Sequence, residues 1–551
     1  MTPGDTRLSR IQAWFAAHKG WRAYAIAFAA GALAALGYAP LFFAPAYVAG
    51  VVVLVWLLDA AIAAPRRWRA FFARGWFWGV GHFAAGMYWI ASPFMVDPQR
   101  WGLVWAIPCT LLFACGLALF FALGAALAAP VWTRDLRRLP AFAAALAVTE
   151  FLRGHVLTGL PWNLPAYIWE AGGPISQTAS VVGVYGLSAI TLLIAAAPAA
   201  VADGQASAGR RFAPVLLGGL ILGLMWGAGA ARLGRAPVSV PGELPIVRVA
   251  DSGMSQAEKW KPESDQEWRV LARYLRATGA ESESRAQVVI WPEGAIPSIN
   301  FFVLENPAFL TALGRGLGDR ALILGFTRRG LVNGRIAYYN SAAVIDGVAG
   351  APRVAQIYDK HHLVPFGEYI PFWPAVSRAA QVLSAMGAHI EVGPLQEIGD
   401  GFAPGASPQR MIVPEAPPAT VLICYEAIFP GMVPRGEERP GWIVNISNDA
   451  WFGAGAGPWQ HFNSARYRTI EEGLPMARAA SGGVSGIIDA MGRTVRITYH
   501  DTGFAEAQLP QALPPTLYAA WGAWLAPLLI LVIAALRCAP ALGRTEKEKH
   551  E

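Results

Sequence analysis

The sequence TVLICYEAIFP, residues 420–430 of this 551-residue chain, predicts a buried β-strand that ends at a cysteine. The apolar, β-favouring run before Cys424 is typical of a strand inside a sheet, and Tyr425 and Glu426 then begin a turn. A nucleophile at such a strand-to-turn position can project from the edge of the sheet. The alternative is a small buried hydrophobic residue, which is what most free cysteines are. Cys424 is the only thiol between residues 245 and 510, since Cys109 and Cys115 lie in a long apolar segment before it and Cys538 lies at the end of another after it.

Two further motifs carry a carboxylate and an ammonium group in comparable surroundings. Glu293 follows the run VVIW in VVIWPEGAIP (288–297), where a strand ends, and Lys360 lies between a strand and a proline-containing loop in IYDKHHLVPFGEYIPF (357–372). Taken alone, a glutamate there is more often a solvated loop residue and a lysine more often a surface charge. Together with Cys424 they supply a base, a fixed positive charge and a thiol, which suffice to attack a carbonyl and stabilise the oxyanion that forms.

The segment 245–510 around these motifs is predicted to be a soluble α/β domain, preceded by a Pro- and Gly-rich linker at 236–244. Short β-rich runs recur along it, and residues 264–280 and 460–480 show helical patterning. The β-rich runs are LPIVRVA, QVVIWPE, RALILGFT, RIAYYNSAAVID, RVAQIYD, ATVLICYE, GWIVNISN and SGIIDAMG.

Long apolar segments on both sides of this domain predict a membrane protein. Hydrophobic residues make up 55% of the chain and charged residues only 15%, against roughly 25% charged residues in a soluble globular protein. Residues 1–235 are predicted to form a seven-span membrane domain and 511–536 a C-terminal transmembrane helix, followed by a tail at 537–551, since crossing a bilayer takes about 20 apolar residues. The seven spans lie near 21–39, 41–63, 71–95, 102–129, 140–153, 175–202 and 213–231.

Charged residues interrupt the fifth span at Glu150 and Arg153. Charges inside a membrane are usually functional. These two lie near the predicted end of the span, so snorkelling to the membrane surface is an equally good interpretation.

Arginine and lysine are concentrated in alternate loops, which predicts the orientation of the chain. By the positive-inside rule the N-terminus and the C-terminal tail are cytoplasmic, and the odd number of spans delivers 245–510 to the opposite side. The net charge of +7 is assigned to this topology and to contact with anionic lipids, not to nucleic-acid binding. The basic residues of the loops are Arg7, Arg10, Lys19, Arg22, Arg66, Arg67, Arg69, Arg74, Arg134, Arg137, Arg138, Arg210 and Arg211.

The order Glu293, Lys360, Cys424, with the flanking WPEGAIP, DKHHLVPFGEYIP and ICYE, resembles the nitrilase, or carbon–nitrogen hydrolase, superfamily. The resemblance covers about half the chain and implies an αββα sandwich. The multispan N-terminal half, the single C-terminal span and the segment SNDAWFGAGAGPWQHFNSARYRTIEEGLP (447–475) together resemble the apolipoprotein N-acyltransferase family. The fold class expected is therefore a multi-span α-helical membrane domain plus an α/β nitrilase-like domain.

The resemblance implies a two-step, ping-pong acyl transfer in the inner membrane of a bacterium, with the catalytic domain on the periplasmic side. Cys424 as thiolate would take an acyl chain from a phospholipid, typically phosphatidylethanolamine, and pass it to the α-amino group of a diacylated apolipoprotein. No metal or organic cofactor is implied, and His361 and His362 lack the spacing of a zinc site.

The same resemblance assigns roles to individual residues. Glu293 would be the proton acceptor and Lys360 the oxyanion stabiliser. As an adjacent cation, Lys360 would also lower the pKa of the Cys424 thiol below about 8.5. Glu368, Tyr425 and Glu426 would support the site, with a surface acid as the alternative for Glu368.

Three further residues are candidates for substrate binding. Trp260 and Trp451 resemble aromatic residues at a lipid entrance, although aromatics beside a membrane often only anchor at the interface. Asn340, in YYNSAA, would either hydrogen-bond a substrate or satisfy the end of a strand.

Two rival functions remain open from the sequence. In one, the chain is a membrane-tethered amidase or nitrilase in which water accepts the acyl group. In the other, it is a transporter or receptor whose nitrilase-like domain is catalytically dead. Replacement of one of the three central residues would favour the second, but all three are present.

Overall fold

A computed structural model describes residues 7–99, 101–204, 206–237, 242–259, 265–279, 283–296, 306–332, 334–347, 351–373, 377–378, 401–499 and 503–538. The chain divides into two compact units. The first, the helical unit, comprises residues 1–236, 455–471 and 515–551, and the second, the sheet unit, comprises 237–454 and 472–514.

The helical unit contains the segments predicted to lie in the membrane. Its helices are α1 (Arg7–Ala17), α2 (Trp21–Ala34), α3 (Ala44–Ala61), α4 (Arg67–Gly86), α5 (Gly102–Ala128), α6 (Arg138–Arg153), α7 (Ala179–Ala196) and α8 (Ala208–Gly234). Within the described residues, five helical stretches are long and apolar enough to cross a membrane: Ala44–Ala61, Gly102–Val131, Ile175–Ala202, Ala208–Gly234 and Leu517–Leu536. The other predicted spans lie on α2, α4 and α6, which are shorter or carry charges. The last stretch contains α13 (Leu517–Trp521) and α14 (Leu525–Leu536).

The charges of the fifth predicted span form a buried ion pair. The Arg153 guanidinium lies 2.5 Å from the Glu150 carboxylate, and both side chains are almost fully enclosed. Arg153 also donates to the carbonyl oxygens of Leu160 and Trp162. Because its donors are directed into the protein, Arg153 does not snorkel to the surface.

A helix that follows the nitrilase-like motifs in sequence, α12 (Ala456–Glu472), groups with the helical unit through residue 471. The Gln460 side chain accepts hydrogen bonds from the indoles of Trp89 and Trp162, at 3.0 and 2.8 Å. The Glu471 carboxylate accepts from the Val184 backbone N–H at 2.8 Å. Polar side chains on this helix therefore satisfy polar groups of the helical unit that would otherwise be costly to bury.

The sheet unit is built on two mixed β-sheets. Their strand orders are β11-β1-β2-β3-β4-β5 and β10-β9-β8-β7-β6. The strands are β1 (Ile246–Asp251), β2 (Val288–Ile290), β3 (Ala321–Val332), β4 (Arg335–Asp346), β5 (Arg353–Asp359), β6 (Ala419–Ile423), β7 (Trp442–Asn448), β8 (Met476–Ser481), β9 (Val484–Ile488), β10 (Thr494–Tyr499) and β11 (Gly503–Gln508). The unit also holds α9 (Gln256–Lys259), α10 (Gln266–Thr278) and α11 (Pro307–Leu317).

Alternate residues of the central strands are buried on opposite faces, as the two-residue period of a strand requires. Ile290 and Ile323 of the first sheet share a core with Val421 and Val444 of the second. Their neighbours on the opposite face of the first sheet pack against α10 and α11 through Leu271, Tyr274, Phe309 and Leu313. The two sheets thus lie face to face, and helices cover the outer face of the first.

The eight β-rich runs all contain strands, whereas the helical patterning expected to 480 ends earlier. That expectation is wrong for residues 476–480, which belong to β8, parallel to β7. The sequence MARAAS favours a helix by propensity, but the helix ends at Glu472, before Gly473 with its φ of 67°, and the segment is buried completely in the sheet. Packing between β7 and β9 outweighs local preference here.

Candidate active site

Cys424 lies where β6 ends and a short 3₁₀ helix, Cys424–Ile428, begins. Its φ angle is 49°, in the left-handed region that a side chain rarely adopts. Such strain persists only where neighbouring structure enforces it, and it is typical of functional sites. The thiol therefore projects from a sharp strand-to-helix turn, as TVLICYE predicts.

The Glu426 carboxylate stabilises this turn by accepting hydrogen bonds. It is fully buried and accepts hydrogen bonds from the Ile423 N–H at 2.7 Å and the Tyr358 hydroxyl at 2.7 Å. It also accepts from the backbone N–H groups of His361 and His362, at 2.8 and 3.1 Å. His361 follows Lys360, and Ile423 precedes Cys424. The Glu426 carboxylate therefore links the backbone next to Lys360 with the backbone next to Cys424.

Lys360 lies between two carboxylates and is almost completely buried. Its Nζ is 2.9 Å from Glu368 Oε1 and 3.5 Å from Glu293 Oε1. Burial alone would lower the pKa of Lys360, but the negative charges of Glu368 and Glu293 outweigh it and hold the pKa above its usual range. The ammonium group stays charged at every physiological pH, as an oxyanion stabiliser must.

Asn340 connects the same two carboxylates. Its side-chain amide donates to Glu293 Oε1 at 2.6 Å and to Glu368 Oε1 at 2.7 Å. Its backbone carbonyl accepts from the Lys360 N–H at 2.8 Å. Both amide N–H groups are directed at carboxylates, which leaves only the side-chain oxygen to contact a substrate.

The remaining predicted residues are distributed around this centre. The Tyr425 ring packs against His362 and Phe429. Trp451 lies in a 3₁₀ turn, Asp449–Phe452, after β7 and is partly exposed. Trp260 lies outside the described residues.

Sequence reasoning missed the residues at the end of β7. The Asn448 backbone N–H donates to Glu293 Oε2 at 2.8 Å, so the candidate base is held by both oxygens. Ser447 follows Ile446, the register partner of Ile423, and therefore lies beside Cys424 on the neighbouring strand. The signal was available in the polar run Ser447-Asn448-Asp449, which ends a buried strand.

The thiol is the group whose electrostatics differ most from expectation. Burial, then the negative charge of Glu293, raises the pKa of Cys424 well above its usual range. Lys360 opposes this shift but does not overcome it. The expectation that Lys360 brings the thiol pKa below about 8.5 is therefore wrong, because desolvation of the thiolate is the larger effect. Cys424 is therefore a neutral thiol at rest, and an attack by its sulfur would require the loss of this proton.

We expect iodoacetamide to alkylate Cys424 faster with every step in pH from 7 to 10. A raised pKa means that the thiolate fraction grows about tenfold per pH unit throughout this range. Peptide mass spectrometry measures the rate at Cys424 separately from the other cysteines. In denaturant the same peptide should level off above about pH 8.5, and a similar plateau in the folded protein would contradict the assignment.

Comparison with known proteins defines the class that this fold and site represent. Residues 248–513 match the family model of carbon-nitrogen hydrolases, which confirms the nitrilase-like fold expected for the sheet unit. Residues 30–197 match the N-terminal domain of apolipoprotein N-acyltransferases. An amidase of the nitrilase superfamily from Nesterenkonia aligns with 50% of the chain and 94% of its own length, at 17% identity and a TM-score of 0.32.

Relatives of the same length give the particular family. The apolipoprotein N-acyltransferase of Rhodopseudomonas palustris is 35% identical over 96% of this chain and 97% of its own length. Those of Bradyrhizobium diazoefficiens and Caulobacter vibrioides are each 37% identical, over 96% and 94% of this chain and 96% and 95% of their own length. The chain belongs to the apolipoprotein N-acyltransferase family.

Proposed function

We propose that this protein transfers a fatty acyl chain from a phospholipid to the α-amino group of a diacylated apolipoprotein, with Cys424 as the covalent carrier. The observation that carries the proposal is the buried Lys360 ammonium, held between Glu293 and Glu368 and electrostatically coupled to Cys424. A permanent cation beside a thiol and a carboxylate supports acyl transfer through a tetrahedral oxyanion. Family membership supports a lipoprotein as the acceptor.

In the first half-reaction the Cys424 sulfur attacks the ester carbonyl of the phospholipid. Glu293 takes the thiol proton as the carbon–sulfur bond forms, and Lys360 stabilises the oxyanion. The intermediate then collapses by breaking the ester carbon–oxygen bond. Glu293 returns its proton to the departing alkoxide, so the products are a lysophospholipid and a thioester.

In the second half-reaction the lipoprotein amine attacks the thioester. An α-amino group has a pKa of about 7.7–8.0 and must be deprotonated first, which Glu293 can do. The amide bond forms as the carbon–sulfur bond breaks. Glu293 releases this first proton to solvent, takes the second proton that the amine loses as the amide forms, and passes it to the departing Cys424 thiolate, which returns the enzyme to its resting state.

We propose phosphatidylethanolamine as the acyl donor and the periplasmic side of a bacterial inner membrane as the location of the sheet unit. The acyl donor rests on the resemblance of the motifs to the family. The location rests on the clustering of arginine and lysine in alternate loops and on the apolar helices.

Of two reporter enzymes fused after residue 300, only the one that must be exported from the cytoplasm to be active should show activity. Alternating basic loops predict an odd number of crossings before this point. Alkaline phosphatase, which is active outside the cytoplasm, and a cytoplasm-dependent reporter at the same position form a matched pair. Activity of the cytoplasmic reporter alone would contradict the proposed location.

The overall function is tested in mixed micelles that contain phosphatidylethanolamine and a synthetic diacylated lipopeptide. Mass spectrometry should detect a lysophospholipid and an N-acylated lipopeptide in equal amounts. Free fatty acid in place of the acylated peptide would show that water is the acceptor, as in an amidase-type hydrolase.

A further inference from the structure

A buried polar network beside Cys424 is formed by Ser447, Asp449 and Arg478. All three side chains are completely buried. The Ser447 hydroxyl donates to Asp449 Oδ1 at 2.6 Å, and the Arg478 guanidinium donates to Asp449 Oδ2 at 2.6 Å. Because a guanidinium is always charged, Asp449 has a fixed counter-ion.

The strands beneath the nucleophile hold this network in place. Arg478, on β8, also donates to the Asn445 side-chain oxygen and to the Val484 carbonyl oxygen. Asn445, on β7, donates in turn to the Leu422 carbonyl oxygen of β6 at 2.8 Å. Asp449 is therefore fixed relative to the strand that ends at Cys424.

Ser447 has two possible acceptors for its single hydroxyl proton. One is Asp449. The other is the Cys424 sulfur, which a hydrogen bond from Ser447 can reach because Ser447 follows Ile446, the register partner of Ile423 on the adjacent parallel strand. This bond lowers the pKa of Cys424, whereas the charge of Asp449 raises it. A hydroxyl group can rotate about its C–O bond, so it can donate to either partner but not to both at once.

We propose that Ser447 is a further catalytic residue whose hydroxyl turns from Asp449 to the Cys424 sulfur whenever that sulfur becomes a thiolate, and that Asp449 is a positioning residue that holds the hydroxyl ready. The proposal rests on the proposed function, in which a thiolate arises twice. It forms during attack on the phospholipid and again when Cys424 leaves the thioester. A donor at sulfur stabilises both states, and Arg478 keeps Asp449 paired while the hydroxyl is turned away.

The substitutions Ser447→Ala and Asp449→Asn are expected to have opposite effects on the rate at which Cys424 is alkylated. Glu293, Lys360 and Asp449 are the charges that act on Cys424. Ser447→Ala removes a hydrogen-bond donor to the thiolate, so alkylation of Cys424 at pH 8 should slow by about three- to tenfold. The smaller thiolate fraction slows the reaction, and the greater nucleophilicity of a more basic thiolate offsets part of this loss. Asp449→Asn replaces a negative charge with a neutral group of similar shape and should accelerate the same alkylation.

The experiment measures alkylation and acyl transfer on the full chain in detergent micelles. Thioester formation and its discharge by lipopeptide should each slow about tenfold in Ser447→Ala, as expected when a bond to a charged group is lost. Ser485→Ala is the matched control, since it removes an equally buried hydroxyl from β9. It should leave both rates at the wild-type value. Thermal unfolding checks that each variant is folded.

Equal alkylation and acylation rates in Ser447→Ala and the wild type would overturn the proposal, whatever the behaviour of Asp449→Asn. Slower alkylation of Ser447→Ala, together with a wild-type protein that forms no thioester, would instead reject the proposed function. The role of the hydroxyl in stabilising the thiolate would then stand by itself.

Discussion

Incubated with phospholipid but without a lipoprotein acceptor, the enzyme is expected to accumulate a thioester on Cys424 with the mass of one fatty acyl chain. The thiol lies at a strained turn, and in the proposed mechanism Glu293 supplies the base and Lys360 the oxyanion contact. Without an amine the second half-reaction cannot proceed. Intact-protein mass spectrometry before and after neutral hydroxylamine, which cleaves thioesters, measures the adduct.

The thioester must be absent from Cys424→Ala and retained in Cys109→Ala, which removes a thiol from α5. Addition of a diacylated lipopeptide should discharge it into an amide with little free fatty acid. Steady release of free fatty acid that does not respond to the lipopeptide would establish a hydrolase and exclude acyl transfer.

Lys360→Arg is expected to reduce acyl transfer by about 10²–10³-fold, the usual loss when one oxyanion contact is removed. The compact ammonium fits between Glu293 and Glu368 in a site that is 1% exposed. A guanidinium keeps the charge but is larger and planar, so it pairs with a carboxylate side-on and displaces the contact to the substrate. Thioester formation in a single turnover measures the chemical step directly.

Lys259→Arg is the matched control for this substitution. Lys259 is also buried, but its Nζ donates to the Ser481 hydroxyl at 2.6 Å. If both variants lose stability equally while only Lys360→Arg loses acylation, the effect belongs to the charge geometry at Lys360. Near-normal turnover of Lys360→Arg would remove it from the catalytic centre.

Much of the fold could be predicted because local sequence periods match local structure. The β-rich runs contain the strands, and α10 corresponds to the expected helix at 264–280. Apolar stretches of about 20 residues correspond to long helices, since the bilayer imposes the same length on any spanning helix. The failure at residues 476–480 is instructive, because an alanine-rich segment became a strand only through burial between two other strands.

The sequence motifs indicated which side chains form the candidate site but not which hydrogen bonds hold them in place. Glu293, Lys360 and Cys424 were identifiable because their types and flanking residues are specific. The hydrogen bonds from Asn340 and Asn448 to Glu293 join positions far apart in the chain. So does the bond from the His361 backbone, next to Lys360, to Glu426. No periodicity in the sequence encodes such pairings, since they depend on which strands become neighbours.

The sequence by itself therefore determined the kinds of element, the membrane-spanning character of the N-terminal half and the residue types of the site. Tertiary structure alone decided the protonation state of Cys424, because its raised pKa results from burial and from the negative charge of Glu293. It also decided that α12 belongs with the helical unit through residue 471, since its buried side chains Gln460 and Glu471 accept hydrogen bonds from residues of that unit far away in the chain. Composition and spacing are local properties of a chain, whereas solvation and charge proximity exist only after distant segments have packed together.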